Sequence, residues 1–404
     1  GTRGNGAGAQ YGVSGGVAVS ASLSGTSNVH GVQLVSSGGT ALDTNIEAAG
    51  RQTVGSGGYA SGAVVSGLSG NSSGGYQFVY GGSADNTILQ NSGMQYVSGG
   101  GVANSVTIHS VAYQIVSAGG TAANARINSA GIQYVRQGMV VAAEVLGGGL
   151  QAVSSGATAI DTSVSSGGYQ RIYENGLASG GSVLASGNQI VASDGKAVSA
   201  YLEGSGSVMA YQYVSEGGYA EATTIGGMGR QYVLSDGYAS GAVVSGASGS
   251  NAFQYVYFTS ADGTQVLGYG GQYVSGSGAQ ANGTYISGPG ASMIVSVGAA
   301  ASGTTAVSGG QYVRQGTAAD TFLSGAGGQY VSSGGVASGT TVGDGARQYV
   351  YSSGVASGAL IMSGGRQDVA ITAASDDGSG ALAVGTVVSG GRPHVRSGGT
   401  ALTT

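Results

Sequence analysis

The chain has 404 residues, 85 of them Gly, two Pro and none Cys or Trp; 7% are charged and the net charge is −5. The twelve basic residues are scattered and include a single Lys, Lys196, which argues against a nucleic-acid partner. Without Cys there are no disulfides. The three histidines, His30, His109 and His394, share no common setting, so neither a His/Cys metal site nor a Ser-His-Asp arrangement can be built from neighbours.

One unit recurs from end to end. It reads Q-Y-V-x-x-G-G-x-A-x-x-T-x-V-x-x-G-x-x, is complete from Gln329, and begins again at Gln348. The anchors are Gln10, Gln33, Gln52, Gln77, Gln95, Gln114, Gln133, Gln151, Gln170, Gln189, Gln212, Gln231, Gln254 and Gln272. Met293 then stands in the anchor's place, Gln311, Gln329, Gln348 and Gln367 follow, and Pro393 marks a partial copy. Of these twenty copies most are 18 or 19 residues apart, and the exceptions run from 21 to 26. A fixed period of this size is the mark of a solenoid. No stretch between the first and last anchor escapes it, so residues 1–404 read as a single domain without a linker.

Three positions in the unit are restricted. The third is nearly always Val or Ile, as in Val97 and Val331; the ninth is usually Ala, as in Ala103 and Ala337; the fourteenth is aliphatic, as in Ile108 and Val342. Apolar runs of three to five residues broken by Gly are too short for helices and read as strands between turns. Residues two apart in a strand share a face, so the anchor Gln points inward with Val. Identical amides stacked in register can satisfy one another as a ladder. Small Ala keeps the coil narrow, and the glycines supply the positive φ angles of tight corners. The expected fold is all-β: a right-handed parallel β-helix of about twenty coils of 18–19 residues.

Four outward features stand apart from this framework. Tyr occupies position two at Tyr213, Tyr232, Tyr255 and Tyr273, and again at Tyr312, Tyr330 and Tyr349 after the Met293 coil. In register these would form an aromatic ladder with rings about 4.8 Å apart, either a contact face for a second copy or for sugars, or simply strand residues packing on one another. Glu174, Asp194, Glu216 and Asp236 sit at position five or six of consecutive coils, an acidic edge that is solvated or, more weakly, a cation row. Longer coils add SGTSNVHGV (24–32), SGLSGNSSGGY (66–76), EGSGSVMAY (203–211) and SGASGSNAF (245–253) after position fourteen, all at one corner, and AASDDGSGAL (373–382) at another. Insertions on one face of a solenoid can mark its binding side. Ser36, Ser37, Ser98, Ser154, Ser155, Ser215, Ser332 and Ser333 crowd the corners as solvated turn residues.

The unit as it stands at Gln95–Ile108, Gln212–Ile225 and Gln329–Val342 resembles the 19-residue repeats of AIDA-type, TibA-like self-associating autotransporter adhesins of Gram-negative bacteria. The resemblance covers essentially the whole chain. It implies a passenger domain secreted through the outer membrane and displayed on the cell surface, with its barrel and signal peptide outside this sequence. It also implies roles in autoaggregation, biofilm formation or host-cell adhesion. Partners would then be a copy on a neighbouring cell and host surface glycans or receptors. A heptosyltransferase acting on corner residues such as the serines named above would be a further partner. No cofactor and no catalysis are expected. A β-helical protein that binds or cleaves polysaccharide is the alternative, resting on the acidic edge.

Overall fold

The computed structural model describes residues 3–5, 9–12, 15–26, 29–67, 74–370, 380–396 and 398–402. Every regular element among them is a strand. The chain divides into two compact units, residues 1–200 and 201–404.

In the first unit, the coil beginning at Met94 shows the plan. A first strand, Met94–Ser98, turns at Gly99 and Gly100 into a second, Val102–Asn104. A bend at Ser105 leads to a third, Thr107–Ile108, and a turn at Ser110 and Val111 returns the chain to Tyr113–Val116 of the next coil. Each strand pairs in parallel with its counterpart one coil on: Gln95 with Gln114, Val97 with Val116, Ala103 with Ala122, Ile108 with Ile127. The second unit repeats the scheme, pairing Gln329 with Gln348, Val331 with Val350, Ala337 with Ala356 and Val342 with Ile361. The parallel β-solenoid expected from the period is therefore present, with its inward set as assigned. Gln95, Val97, Ala103 and Ile108 are all fully buried.

The reading of the corner glycines holds only in part. At Ser333-Gly334-Gly335 the positive φ angles belong to Ser333 (53°) and Gly334 (79°). Gly335 is required for a different reason, because a Cβ there would collide with the Val313 carbonyl of the coil before it.

Buried glutamines would be costly if unpaired, since an unsatisfied buried amide costs about 1–3 kcal/mol. Here each side-chain N–H donates to the Oε1 of the preceding anchor. In the first unit this runs unbroken from Gln52→Gln33 to Gln189→Gln170, at 2.6–2.8 Å. In the second it runs from Gln231→Gln212 to Gln272→Gln254 and from Gln329→Gln311 to Gln367→Gln348, at 2.7–2.8 Å. A threonine at position twelve of the unit, or one residue to either side in coils of other length, completes the arrangement. The hydroxyls of Thr44, Thr87, Thr162, Thr223, Thr264, Thr284, Thr321 and Thr340 each donate to the anchor Oε1 of their own coil at 3.0–3.2 Å. Except at Gln272, whose partner one coil on is Met293, these carbonyl oxygens thus accept one bond along the axis and one across the coil.

Met293 interrupts the column in the second unit. Gln311 Nε2 turns to the Thr304 hydroxyl at 3.0 Å and lies 3.8 Å from the Met293 sulfur. Around this point three coils lack the return turn, and the third strand runs on into the next first strand at Tyr285–Ser296, Thr305–Arg314 and Phe322–Ser332. Register shifts after Ile286 and Ala306 absorb the change.

Two stability predictions follow from the column. Gln133→Leu removes the donor to Gln114 and the acceptor for Gln151, and is expected to lower unfolding stability by about 2–3 kcal/mol. Met293→Gln supplies an acceptor for Gln311 and Thr304, and is expected to raise stability by about 1 kcal/mol. Urea denaturation of the full chain checks both; an unchanged midpoint for Gln133→Leu would show that the column is dispensable.

Candidate interaction surface

Because the anchor and position three point inward, the residues before, between and after them point out, and parallel register turns each of these positions into a row. In the second unit the position-two row is the tyrosine ladder. Tyr213 and Tyr232 stack with centroids 5.3 Å apart and planes 11° apart, and Tyr232 and Tyr255 at 4.8 Å and 10°. Tyr312, Tyr330 and Tyr349 continue the same way at 4.8 and 5.1 Å. Ile294 fills the row between Tyr273 and Tyr312.

Two details depart from the expectation. Tyr273 does not stack; its ring is tilted 59° to Tyr255, and its hydroxyl accepts from Ser296 Oγ at 3.0 Å. The rings are also half-buried, because the rows on either side crowd them. Tyr211 lies 5.9 Å from Tyr213, Phe253 5.7 Å and Tyr257 6.1 Å from Tyr255, and Tyr351 5.9 Å from Tyr349. Burial first, and the neighbouring Tyr255 next, push the Tyr232 phenol above its ordinary pKa; burial and then Tyr312 do the same at Tyr330. The result is an aromatic sheet in two runs, interrupted at Ile294, showing mainly ring edges and hydroxyls. In the first unit the aromatic stacking is briefer, with Tyr76, Phe78 and Tyr96 in one group and Tyr113 with Tyr134 in another.

A second polar pattern, on the outer side of the second strands, was not anticipated. Tyr238 stacks on Tyr219 at 5.3 Å, its hydroxyl donates to Asp262 at 2.5 Å, and Asn282 Nδ2 donates to the other Asp262 oxygen at 2.8 Å. The first unit repeats this with Tyr59 donating to Asp85 at 3.0 Å and Asn104 donating to Asp85 at 3.0 Å. Its sequence signal is Asp and Asn at paired places in successive coils, with Tyr one coil earlier at the place two residues before them.

The remaining sequence candidates divide. Glu174, Asp194, Glu216 and Asp236 are exposed turn-tip residues with positive φ, and so serve the corner conformation. Among the described residues no three His, Cys, Asp or Glu side chains gather closely enough to hold a metal ion. Ser37, Ser155 and Ser333 are exposed at turn tips, whereas Ser36, Ser98, Ser215 and Ser332 are half-buried. Ser154 corrects the solvated-corner reading: it is only 2% exposed, and the coil before it carries Arg136 at the paired position. Two of the longer coils fold into minimal antiparallel hairpins bridged at Ser205–Val208 and Ala247–Ser250, and in a third Thr26 bridges Val29 while residues 27–28 lie outside the described residues; each follows a third strand as expected. Within the 66–76 insertion residues 68–73, and within the 373–382 insertion residues 373–379, lie outside the described residues.

Comparison with known proteins bears on these rows. A family described as "Adhesin of bacterial autotransporter system, probable stalk" matches residues 311–365. These coils are similar to the stalk of AIDA-type adhesins. Over a longer span the chain is similar to a crystal structure described as TibC-catalyzed hyper-glycosylated TibA55-350 fragment. The two share 29% identity at a TM-score of 0.53, over 79% of this chain and 98% of that one. No curated protein matches. In repeat and in fold the chain is thus similar to AIDA-type, TibA-like autotransporter adhesin passengers.

The Tyr238–Asp262 pair gives a pH prediction. A hydrogen bond to Asp262, then burial, pushes the Tyr238 phenol up to about 12 from its ordinary 10. The neutral phenol is therefore favoured by folding. Its contribution is complete below about pH 10 and is lost as the pH climbs to about 12. Across that window the thermal stability gap between the native chain and Tyr238→Phe should close. A gap independent of pH would show that the hydrogen bond does not hold the proton.

Proposed function

We propose that this passenger is displayed on the bacterial surface and holds cells together by pairing with copies of itself, without catalysis. The aromatic sheet of residues 201–404 carries this reading. Six tyrosines in two stacked runs, with Tyr273 tilted beside the first, present edges and hydroxyls at a coil-by-coil spacing that a second copy would share. Each contact is weak, and summation along a row makes the pairing durable. Tyr suits such a face because it offers area and a hydroxyl at low entropy cost. Biofilm formation and host-cell adhesion through surface glycans or receptors would draw on the same rows. Polysaccharide cleavage is less well supported, since the four carboxylates that suggested it sit exposed on turn tips instead of in a groove beside basic residues.

Likeness to the glycosylated TibA fragment supports heptosylation of this chain as well. Exposure ranks the candidates: Ser37, Ser155 and Ser333 first, the half-buried serines next, and Ser154 last.

Two experiments test the proposal. Cells displaying the chain on an outer-membrane barrel should settle from suspension, and replacement of Tyr213, Tyr232, Tyr255 and Tyr273 by Ser should abolish settling without loss of display. Settling unchanged in the variant would remove the aromatic sheet from the mechanism. After co-expression with TibC, peptide mass mapping should find heptose increments on Ser37, Ser155 and Ser333 and none on Ser154. Modification of Ser154 ahead of these would contradict the ranking.

A further inference from the structure

The basic residues, scattered in sequence, do not stay scattered in space. Arg347, Arg366 and Arg392 pair in register on three successive coils, with backbones about 4.8 Å apart. They line a surface hollow of about 450 Å³ floored by Gly345, Gly364, Gly365 and Gly390. At the other places where Arg precedes the anchor, a ring or a carbonyl takes it up. Arg51 lies over the Tyr76 ring, and Arg230 lies over Phe253 while donating to the Gly229 and Asn251 carbonyls. Here arginine stands on arginine.

Like charges directly opposite one another in a sheet are destabilising unless something neutralises them. The local acids do so only in part. Asp368 takes Arg366, with Oδ1 accepting from Nη2 at 2.6 Å; His394 Nδ1 is 3.4 Å from the same oxygen and 3.2 Å from Arg396 Nε. The Asp344 carboxylate stands at the rim, over Gly364. Arg347 donates only to the Tyr349 hydroxyl at 3.2 Å, and Arg392 has no partner among the described residues. Arg366 Nε is buried and unbonded. Planar guanidinium forks are suited to paired bonds with oxyanions. The row also abuts the end of the aromatic sheet, where Tyr349 and Tyr351 stack 5.9 Å apart with planes 5° apart.

We propose that this hollow binds the oxyanion of an acidic saccharide, a carboxylate or sulfate ester, between Arg347 and Arg392, with the sugar ring against Tyr349 and Tyr351. The oxyanion assignment stands on the arginine row alone; only the choice of a saccharide as its carrier rests on the adhesin reading. Calorimetric titration of the full chain with a heparin-derived tetrasaccharide and with an oligomer of sialic acid tests it, with maltotetraose as the neutral probe. Either acidic probe should bind, more weakly as salt rises, and maltotetraose should not. The pair Arg347→Ala and Arg392→Ala should lower affinity at least tenfold. Both side chains are exposed, so circular dichroism should stay native, and Arg51→Ala should leave binding unchanged. Equal binding of the neutral probe, binding of neither acidic probe, or equal loss in Arg51→Ala would overturn the assignment. Inorganic phosphate binding as tightly as the saccharides would overturn the saccharide part. Settling of displayed cells is read separately: settling without acidic-probe binding sinks this site and spares the pairing mechanism, and the reverse outcome does the opposite.

Discussion

The structure depends on one hydrogen bond made again and again: the side-chain amide of an anchor glutamine donating to the carbonyl of the glutamine one coil before. A column of valines would bury as much apolar surface but would tolerate sliding, since dispersion and hydrophobic burial are not directional. An amide column tolerates neither a slip along the strand, which would carry every Gln to the outer face, nor the loss of a member, which leaves two partners unsatisfied. Threonine at position twelve ties the column to the opposite wall of the coil. At Met293 the column gives way to a sulfur and a threonine hydroxyl, and there the neighbouring coils lose their return turns and shift register.

Fixed register is also what turns single side chains into surfaces. A tyrosine at position two has no special property alone. Placed in register through successive coils, it becomes a stacked run whose faces are used up internally and whose edges are presented outward. The same rule builds the Tyr–Asp–Asn pattern on the second strands and the arginine row at the end of the aromatic sheet. In a chain with only 7% charged residues, three guanidiniums aligned on successive coils concentrate positive charge on one strip of surface. The outward chemistry is distributed along such rows, and its strength lies in repetition.

Most of the framework was legible in the sequence because it is carried by residue type at a fixed spacing. The period, the strands, the inward Gln, Val, Ala and aliphatic positions and the corner of the hairpins all read directly. What was not legible depended on neighbours one coil away. Thr at position twelve stood in the written unit, yet its bond to the anchor oxygen requires knowing how wide the coil is. Ser154 looks like any other corner serine until the coil before it proves to carry Arg136 at the paired position. Arg366 and Arg392 are separated by an insertion, so the linear sequence hides their alignment. Tyr273 fits the ladder in every linear respect and is turned out of it by Ser296 of the following coil.

The central claim is that register, held by the glutamine column, creates the outward rows, and the absence of native Cys makes it directly testable. Tyr330→Cys with Tyr349→Cys places two thiols on paired positions, about 4.8 Å apart along the axis. Tyr330→Cys with Tyr351→Cys displaces one of them along its strand, beyond the separation of about 7 Å that a disulfide can bridge. Under mild oxidation of the folded chain, the first pair should close to an intramolecular disulfide and the second should stay reduced. Equal closure of both pairs, or closure of the displaced pair alone, would contradict the register on which every row described above depends.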